Sequence, residues 1–171
     1  MPIPLRTSRL VLRYLTPADA EALFAYRSEP AVSAMQGWMP ASRAAADVFV
    51  GSVADVPFAR RSMWSQLGIV EGRNDVLIGD VGVHVDASGD VAEIGYTIAP
   101  AFQRRGYATE AMRALLGELE GAYGIRRFIA RTDPRNVASI ALLARLGFGE
   151  EGCIGEDRHF KMIVQTRRPG P

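Results

Sequence analysis

Cysteine and histidine are scarce in this sequence. Among 171 residues there is one cysteine, Cys153, and there are two histidines, His84 and His159. A single cysteine excludes an internal disulfide framework and any metal site built from several thiolates. The two histidines lie far apart in sequence without a partner cluster, which disfavours a zinc site of the histidine type. We therefore expect no bound metal.

Long apolar runs and an excess of one charge are also missing. No run of about 18 apolar residues is present, so we expect no membrane-spanning helix. The apolar N-terminal stretch carries three arginines and no small-residue cleavage site, which is not typical of a signal peptide. The formal net charge is +1, which provides no bulk attraction to nucleic acid or to a membrane. These absences predict a cytoplasmic protein without such partners.

The composition is that of an ordinary globular protein, with 48% hydrophobic and 23% charged residues. A length of 171 residues suits one domain with a full core. We expect a single domain over residues 1–171, whose last residues, about 167–171, form a frayed tail with the sequence RRPGP.

The chain is organised around residues 91–117, VAEIGYTIAPAFQRRGYATEAMRALLG. The segment VAEIGYTI is rich in β-branched and aromatic residues and predicts a strand, whereas apolar residues at helical spacing after Gly106 predict a helix. Where a strand enters a helix through a glycine-containing turn, the first helical N–H groups are free to bind an anion. Arg104 and Arg105 add guanidinium donors suited to phosphate oxygens. The stretch therefore predicts a phosphate or pyrophosphate site.

The flanking segments predict the rest of the fold. Short turns join predicted strands over 64–70, 76–85 and 91–98, which implies antiparallel neighbours. A strand over 127–131 after the central helix (about 107–120) implies a crossover and parallel pairing. The other predicted elements are strands over 10–15, from 148 and over 160–165, helices over about 16–28, 43–54 and 137–146, and a loop over 31–40. Together they predict an α/β (α+β) fold with a mixed, mostly antiparallel central sheet flanked by helices.

Two motifs then occur in order. Gln103-x-x-Gly106-x-Ala108 follows a predicted strand and opens a helix, and Asn136-x-x-Ser139 comes later, followed by Gly147-Phe148. Together they resemble the GNAT superfamily of N-acetyltransferases, and the resemblance covers essentially the whole chain. The N-terminal pattern Arg6-Thr7-x-Arg9-Leu10-x-Leu12-Arg13, followed by Asp19-Ala20, resembles the branch that contains the Rim-type ribosomal-protein N-terminal acetyltransferases.

This resemblance implies a GNAT-like domain with acetyl-CoA as co-substrate. Backbone N–H groups from Arg104 to Thr109 would cradle the pyrophosphate, and the strand before the turn would pair with the pantetheine arm as a sheet edge pairs with a peptide. By family position, Asn136 would bind the pantetheine and Ser139 would lie near the thiol. The expected cofactor-binding residues are Tyr96, Thr97, Ile98, Gln103, Arg104, Arg105, Gly106, Tyr107, Ala108, Thr109, Asn136 and Ser139.

Two residues are candidates for catalysis, Glu93 and Ser139. Glu93 lies mid-strand, where an acid is disfavoured, and would act as a base on the amine through water; a surface carboxylate or an arginine partner is the alternative. Ser139 would hydrogen-bond the leaving thiolate, or else bond locally to backbone in the first turn of its helix. Many family members have a tyrosine general acid seven residues after the asparagine, but here that position is Leu143.

Two functions remain open from the sequence. The first is transfer of acetyl to a primary amine, a protein N-terminus or a small-molecule amine, by direct attack in a ternary complex. The N-terminal helices, the Trp38 loop and residues 151–160 would shape the acceptor pocket. The second is a non-enzymatic acyl-CoA-binding sensor on the same fold, which Leu143 leaves open. A homodimer is also open, because relatives are monomers or dimers.

Overall fold

Eight strands form one sheet in this protein, whose structure is a computed structural model that describes residues 3–164. The strands are β1 (Leu5–Arg6), β2 (Leu10–Tyr14), β3 (Trp64–Glu71), β4 (Val76–Val85), β5 (Val91–Ile98), β6 (Arg127–Thr132), β7 (Gly149–Ile154) and β8 (Asp157–Ile163). Their order across the sheet is β1-β2-β3-β4-β5-β6-β8-β7. All neighbours pair antiparallel except β5 and β6, which are parallel. The predicted mixed, mostly antiparallel sheet is confirmed.

The parallel pair is short. It consists of Val91 with Arg127, Ala92 with Phe128 and Glu93 with Ile129. β5 continues to Ile98 and stays paired with β4 on its other side. The two strands therefore diverge beyond Glu93, and the sheet opens into a cleft on that side of β5.

The helices flank the sheet. They are α1 (Ala20–Arg27), α2 (Pro30–Ser33), α3 (Arg43–Ala54), α4 (Tyr107–Tyr123) and α5 (Val137–Arg145), with single 3-10 turns at Pro17–Asp19 and Pro100–Phe102. Consecutive residues of β4, Leu77 and Ile78, belong to different apolar clusters, as strand alternation requires. The cluster of Ile78 includes residues of α4 and α5, and that of Leu77 includes residues of α1 and α3. Within residues 3–164, no helix combines the length and apolarity needed to cross a membrane.

Most predicted element boundaries agree with the structure to within a few residues, and two segments differ. The predicted loop over 31–40 begins with a helical turn, because Pro30 ends α1 but also occupies the first position of α2, where its fixed φ suits a helix. The last strand begins at Asp157, because it pairs with β7 as a hairpin from its first residue. Residue 165 and the predicted frayed tail lie outside the described residues.

A buried charged cluster ties α1 to the sheet. Asp80 on β4 is completely buried and accepts hydrogen bonds from Tyr26, Arg27 and Gln66, the last at 2.5 Å. Burial, followed by the Asp80 charge, raises the pKa of Tyr26 well above its usual value, so the phenol stays protonated. Arg27 also donates to the carbonyl of Trp38 at 3.3 Å and lies 5.2 Å from its ring centroid. The cluster therefore also anchors the segment after α2.

Asp80→Asn should destabilise the protein strongly. The substitution leaves the Arg27 guanidinium buried without a counter-charge, which costs about 3–5 kcal/mol of unfolding free energy. Urea denaturation at neutral pH measures the loss. The double variant Arg27→Met/Asp80→Asn removes both charges and should be less destabilised than Asp80→Asn alone. A single-variant loss below about 1 kcal/mol would show that the cluster is not a stabilising centre.

Candidate active site

Two cavities open where β5 and β6 diverge. The larger, about 560 Å³, runs along the end of β5, the turn that enters α4 and the first turn of α5. The expected cofactor-binding residues that line it are Tyr96, Thr97, Ile98, Gln103, Arg104, Gly106, Tyr107, Ala108, Thr109, Asn136 and Ser139. Arg105 is the exception, and its guanidinium lies 5.4 Å from the ring centroid of Phe102. The fold thus brings almost all of this set to one groove.

The turn before α4 contains two residues with positive φ. Arg104 has a φ of 62° and Gly106 a φ of 80°, both in the left-handed region, where only glycine avoids a steric penalty. Gly106 is the residue before the first turn of α4, and residues 106–109 line the larger cavity. Gln103 donates from Nε2 to the carbonyl of Ile98 at 2.8 Å. Its amide therefore joins the turn to the end of β5.

Hydrogen bonds from the residues between β1 and β2 support this turn. Oε1 of Glu110, in the first turn of α4, accepts hydrogen bonds from the hydroxyls of Thr7 and Ser8 at 2.6 and 2.9 Å and from the backbone N–H of Arg9 at 2.9 Å. Its Oε2 accepts from Arg9 Nε at 2.7 Å. Arg9 also donates to the carbonyl of Arg105 at 3.0 Å. The N-terminal Thr7-x-Arg9 pattern therefore has a structural role at the turn.

Sequence reasoning did not identify Glu110. Its only signal is an acidic residue in a first helical turn, which the helix dipole favours. Burial alone would raise the pKa of Glu110, but the hydrogen bonds from Thr7, Arg9 and Ser8 lower it to about 2. The carboxylate thus stays charged in the folded protein across the neutral and mildly acidic range.

Asn136, Ser139 and Tyr96 lie close together at the N-terminal end of α5. Asn136 caps this helix, because its Oδ1 accepts from the backbone N–H of Ser139 at 3.0 Å. Among residues 3–164 the Ser139 hydroxyl makes no hydrogen bond to backbone, and it lies 2.8 Å from the Tyr96 hydroxyl. Burial raises the pKa of Tyr96 to about 12, against the lowering effects of Ser139 and the Arg145 charge. Tyr96 is therefore a neutral phenol at physiological pH.

The smaller cavity, about 200 Å³, lies between the segment after α2 and the diverging strands. The residues that line both cavities are Met35, Gln36, Tyr96, Asn136 and Ser139. The charged residues of the smaller cavity are Arg131, Asp133 and Asp157. Hydrogen bonds from the side chain of Arg135, and then from its backbone, lower the pKa of Asp133 to about 2. Arg135 also donates to the carbonyl of Ala34 at 3.1 Å. The two hydroxyls of the Tyr96–Ser139 pair thus belong to residues that line both cavities.

Glu93 lines neither cavity in the part of the chain that the structure describes. Its Oε1 accepts from Nε and a terminal nitrogen of Arg131 at 2.9 and 2.5 Å, and the Glu93 side chain is 19% exposed. Strand alternation places Glu93 and Tyr96 on opposite faces of β5. The structure therefore contains the arginine partner considered in the sequence analysis, and this partner lines the smaller cavity. The role of Glu93 as a base stays a prediction.

Comparison with known proteins identifies the family. The model of the acetyltransferase (GNAT) domain matches residues 9–149. The uncharacterized N-acetyltransferase YoaA of Bacillus subtilis (strain 168) is 35% identical over 153 residues, which covers 88% of this chain and 85% of YoaA. The chain belongs to the GNAT acetyltransferase family. It is an acetyltransferase.

Solved structures share the fold of this GNAT acetyltransferase. A putative ribosomal-protein-serine acetyltransferase from Vibrio cholerae has a TM-score of 0.79 at 27% identity, over 96% of this chain and 100% of that one. The Microcin C7 self immunity acetyltransferase MccE, in complex with acetyl-CoA and AMP, has a TM-score of 0.77 at 20% identity, over 95% and 99% of the two chains. The second likeness supports the fold alone.

The position of the family's usual tyrosine acid is apolar in this GNAT acetyltransferase. Leu143 is 1% exposed and lines the smaller cavity. It lies one helical turn beyond Ser139 on the same face of α5. Cys153 is exposed, and residues 3–164 contain no group of three or more His, Cys, Asp or Glu side chains arranged to hold a metal ion.

Glu110→Gln should lower the thermal midpoint at neutral pH. Because the folded-state pKa is depressed from 4.5 to about 2, the carboxylate stabilises the fold above pH 4.5, and this stabilisation is lost as the pH falls toward 2. We expect a midpoint roughly 2–4 °C below that of the unmodified protein at pH 7. The gap should narrow between about pH 5 and pH 3. A gap independent of pH would contradict the assigned ionisation.

Proposed function

We propose that this GNAT acetyltransferase takes acetyl-CoA as donor and transfers the acetyl group to a primary amine by direct attack in a ternary complex. One observation carries the proposal: Tyr96 and Ser139 line both cavities, from which we infer that the cavities join there. A thioester in the larger cavity and an amine in the smaller would then meet at the junction. Holding both reactants in this way converts a bimolecular step into an effectively unimolecular one.

The larger cavity has the features that acetyl-CoA requires. The backbone N–H groups from Arg104 to Thr109 and the positive end of α4 suit a pyrophosphate. Arg104 and Arg145 line the cavity and supply positive charge. The β5 edge beyond Glu93 is not paired with β6, so its backbone groups are available to a pantetheine amide. Membership of the GNAT acetyltransferase family supports acetyl-CoA as the donor.

The smaller cavity favours a cationic amine. Arg131 already pairs with Glu93, whereas Asp157 has no ion pair or side-chain hydrogen bond among residues 3–164. A carboxylate at the cavity attracts an ammonium group and so raises its local concentration. The acceptor is a protein N-terminus or a small-molecule amine. The N-terminal Arg6–Arg13 pattern and the likeness to the Vibrio cholerae protein support the Rim-type branch and with it the peptide N-terminus.

The reaction needs a neutral amine and a stabilised thiolate. The amine nitrogen attacks the acetyl carbon, the C–S bond breaks, and the amine proton leaves to a base. We assign Glu93 as that base, acting through water, because its Oε2 has no hydrogen-bond partner among the described residues while Oε1 holds Arg131. Ser139 stabilises the thiolate. No observation favours the acyl-CoA sensor, which the sequence alone left open.

Gly106→Glu should weaken binding of CoA strongly. The new side chain places a carboxylate at the anion site, and a φ of 80° strains any residue with a Cβ. We expect the Kd for CoA by calorimetry to rise at least about tenfold, equivalent to about 1.4 kcal/mol. Gly117→Glu is the matched control, because this glycine of α4 has open space around it and lines neither cavity. Equal affinities for the two variants would refute the pyrophosphate assignment.

Glu93→Gln should reduce turnover most at low pH. An α-amine has a pKa of about 8, so below that pH most of the acceptor is protonated and a base is needed, whereas above about pH 9 it is already neutral. Rates of thiol release with a panel of peptides and small amines give the pH profile. Glu120→Gln, at the far end of α4, is the control and should have no effect. A Glu93→Gln defect of equal size at every pH would leave only the ion pair with Arg131 as its role.

A further inference from the structure

The family's usual tyrosine is missing from α5, but another phenol occupies the same neighbourhood. Ser139 and Leu143 are four residues apart and lie on one face of α5, so a tyrosine at 143 would project beside Ser139. Leu143 offers no hydroxyl there. Tyr96, from β5 on the other side of the cleft, places its hydroxyl 2.8 Å from the Ser139 hydroxyl. The phenol thus reaches the site from the strand instead of the helix.

The chemistry of the two hydroxyls favours one direction for the hydrogen bond between them. A serine hydroxyl has one hydrogen and two lone pairs. A phenol is the more acidic hydroxyl, so Tyr96 is the better donor and Ser139 the better acceptor in their shared bond. If Tyr96 donates, the hydrogen of Ser139 is free to point elsewhere. The junction of the two cavities, which both residues line, is the open space beside it.

We propose that Tyr96 is a positioning residue that donates its hydroxyl hydrogen to Ser139 and so aims the Ser139 hydrogen at the sulfur of the leaving CoA. The proposal rests on the function proposed above and assigns the task of the missing tyrosine at 143. Tyr96 acts through Ser139, and Ser139 is the group that touches the sulfur.

The pair stabilises charge without giving up a proton. When the C–S bond breaks, its electron pair moves to sulfur, and the thiolate accepts a hydrogen bond from Ser139, which accepts one from Tyr96. The pKa of Tyr96, about 12, lies well above that of a thiol, about 8.5, so the Tyr96 hydroxyl keeps its proton when the thiolate forms. The proton released by the amine goes to the base and then to solvent, and solvent protonates the thiolate. The sum is amine plus acetyl-CoA giving amide plus CoA thiol.

The first test measures turnover. Tyr96→Phe removes the hydroxyl and keeps the ring, which packs against the larger apolar cluster. We expect kcat to fall by about five- to twentyfold, the size of one hydrogen bond near a charge, with the KM for acetyl-CoA changed by less than about twofold. Ser139→Ala should fall further, and the double variant should equal Ser139→Ala alone. Additive losses in the double variant would overturn the proposal that Tyr96 acts through Ser139. A rise in the KM for acetyl-CoA with kcat unchanged would overturn it as well.

The second test needs CoA alone and no acceptor. The thiol pKa of bound CoA is followed by thiolate absorbance against pH. Tyr96→Phe should raise it by about 0.5 to 1 unit, a three- to tenfold change in ionisation, with the Kd for CoA unchanged. Tyr123→Phe, an exposed tyrosine at the end of α4, is the control and should not change it. If CoA binds but Tyr96→Phe leaves the pKa of its thiol unaltered, the proposed role of Tyr96 is wrong. If CoA does not bind the unmodified protein, the proposed function itself fails.

Discussion

The separation of β5 from β6 is the constraint on which the site depends. The strands pair over three residue pairs and then part, while β4 continues to hold the other side of β5 up to Ile98. Unpaired strand backbone in a sheet interior normally costs free energy unless another group satisfies it. Here the cost is offset if a ligand occupies the opening, and both cavities lie along it. The same divergence brings the end of β5 close to the first turn of α5.

Charged side chains that lie away from the Tyr96–Ser139 pair hold the segments on both sides of the opening in place. On the donor side, Glu110 ties α4 to the residues between β1 and β2, and Arg9 reaches from there to the carbonyl of Arg105. On the side of the smaller cavity, Arg27 joins the buried Asp80 to the carbonyl of Trp38, next to the segment that lines that cavity. Both are preorganised before a ligand arrives, which reduces the ordering cost of binding.

Local sequence signals predicted much of the fold and many of the residues that line the larger cavity. The strand, the glycine turn and the helix of residues 91–117 are consecutive, so turn chemistry and apolar spacing were enough to find them. The contacts that define the chemistry are not local. Tyr96 and Ser139 are 43 residues apart, Glu93 and Arg131 are 38, and Thr7 and Glu110 are 103. No pattern of neighbouring residues encodes such pairs, because they depend on how the sheet is ordered.

Leu143 is a second case in which a local reading of the sequence missed a contact between distant residues. From the sequence, a leucine at the tyrosine position left open a protein that binds acyl-CoA without turning it over. That inference treated a position in the chain as if it were a position in space. A phenol hydroxyl need only reach Ser139, and the antiparallel pairing of β4 with β5 fixes the direction in which Tyr96 points. Because burial keeps this phenol protonated, its proposed role is that of a hydrogen-bond donor and not of an acid, which changes the proposed chemistry from proton transfer to charge stabilisation. The absent tyrosine therefore bears on how the thiolate is stabilised, and not on whether acetyl transfer takes place.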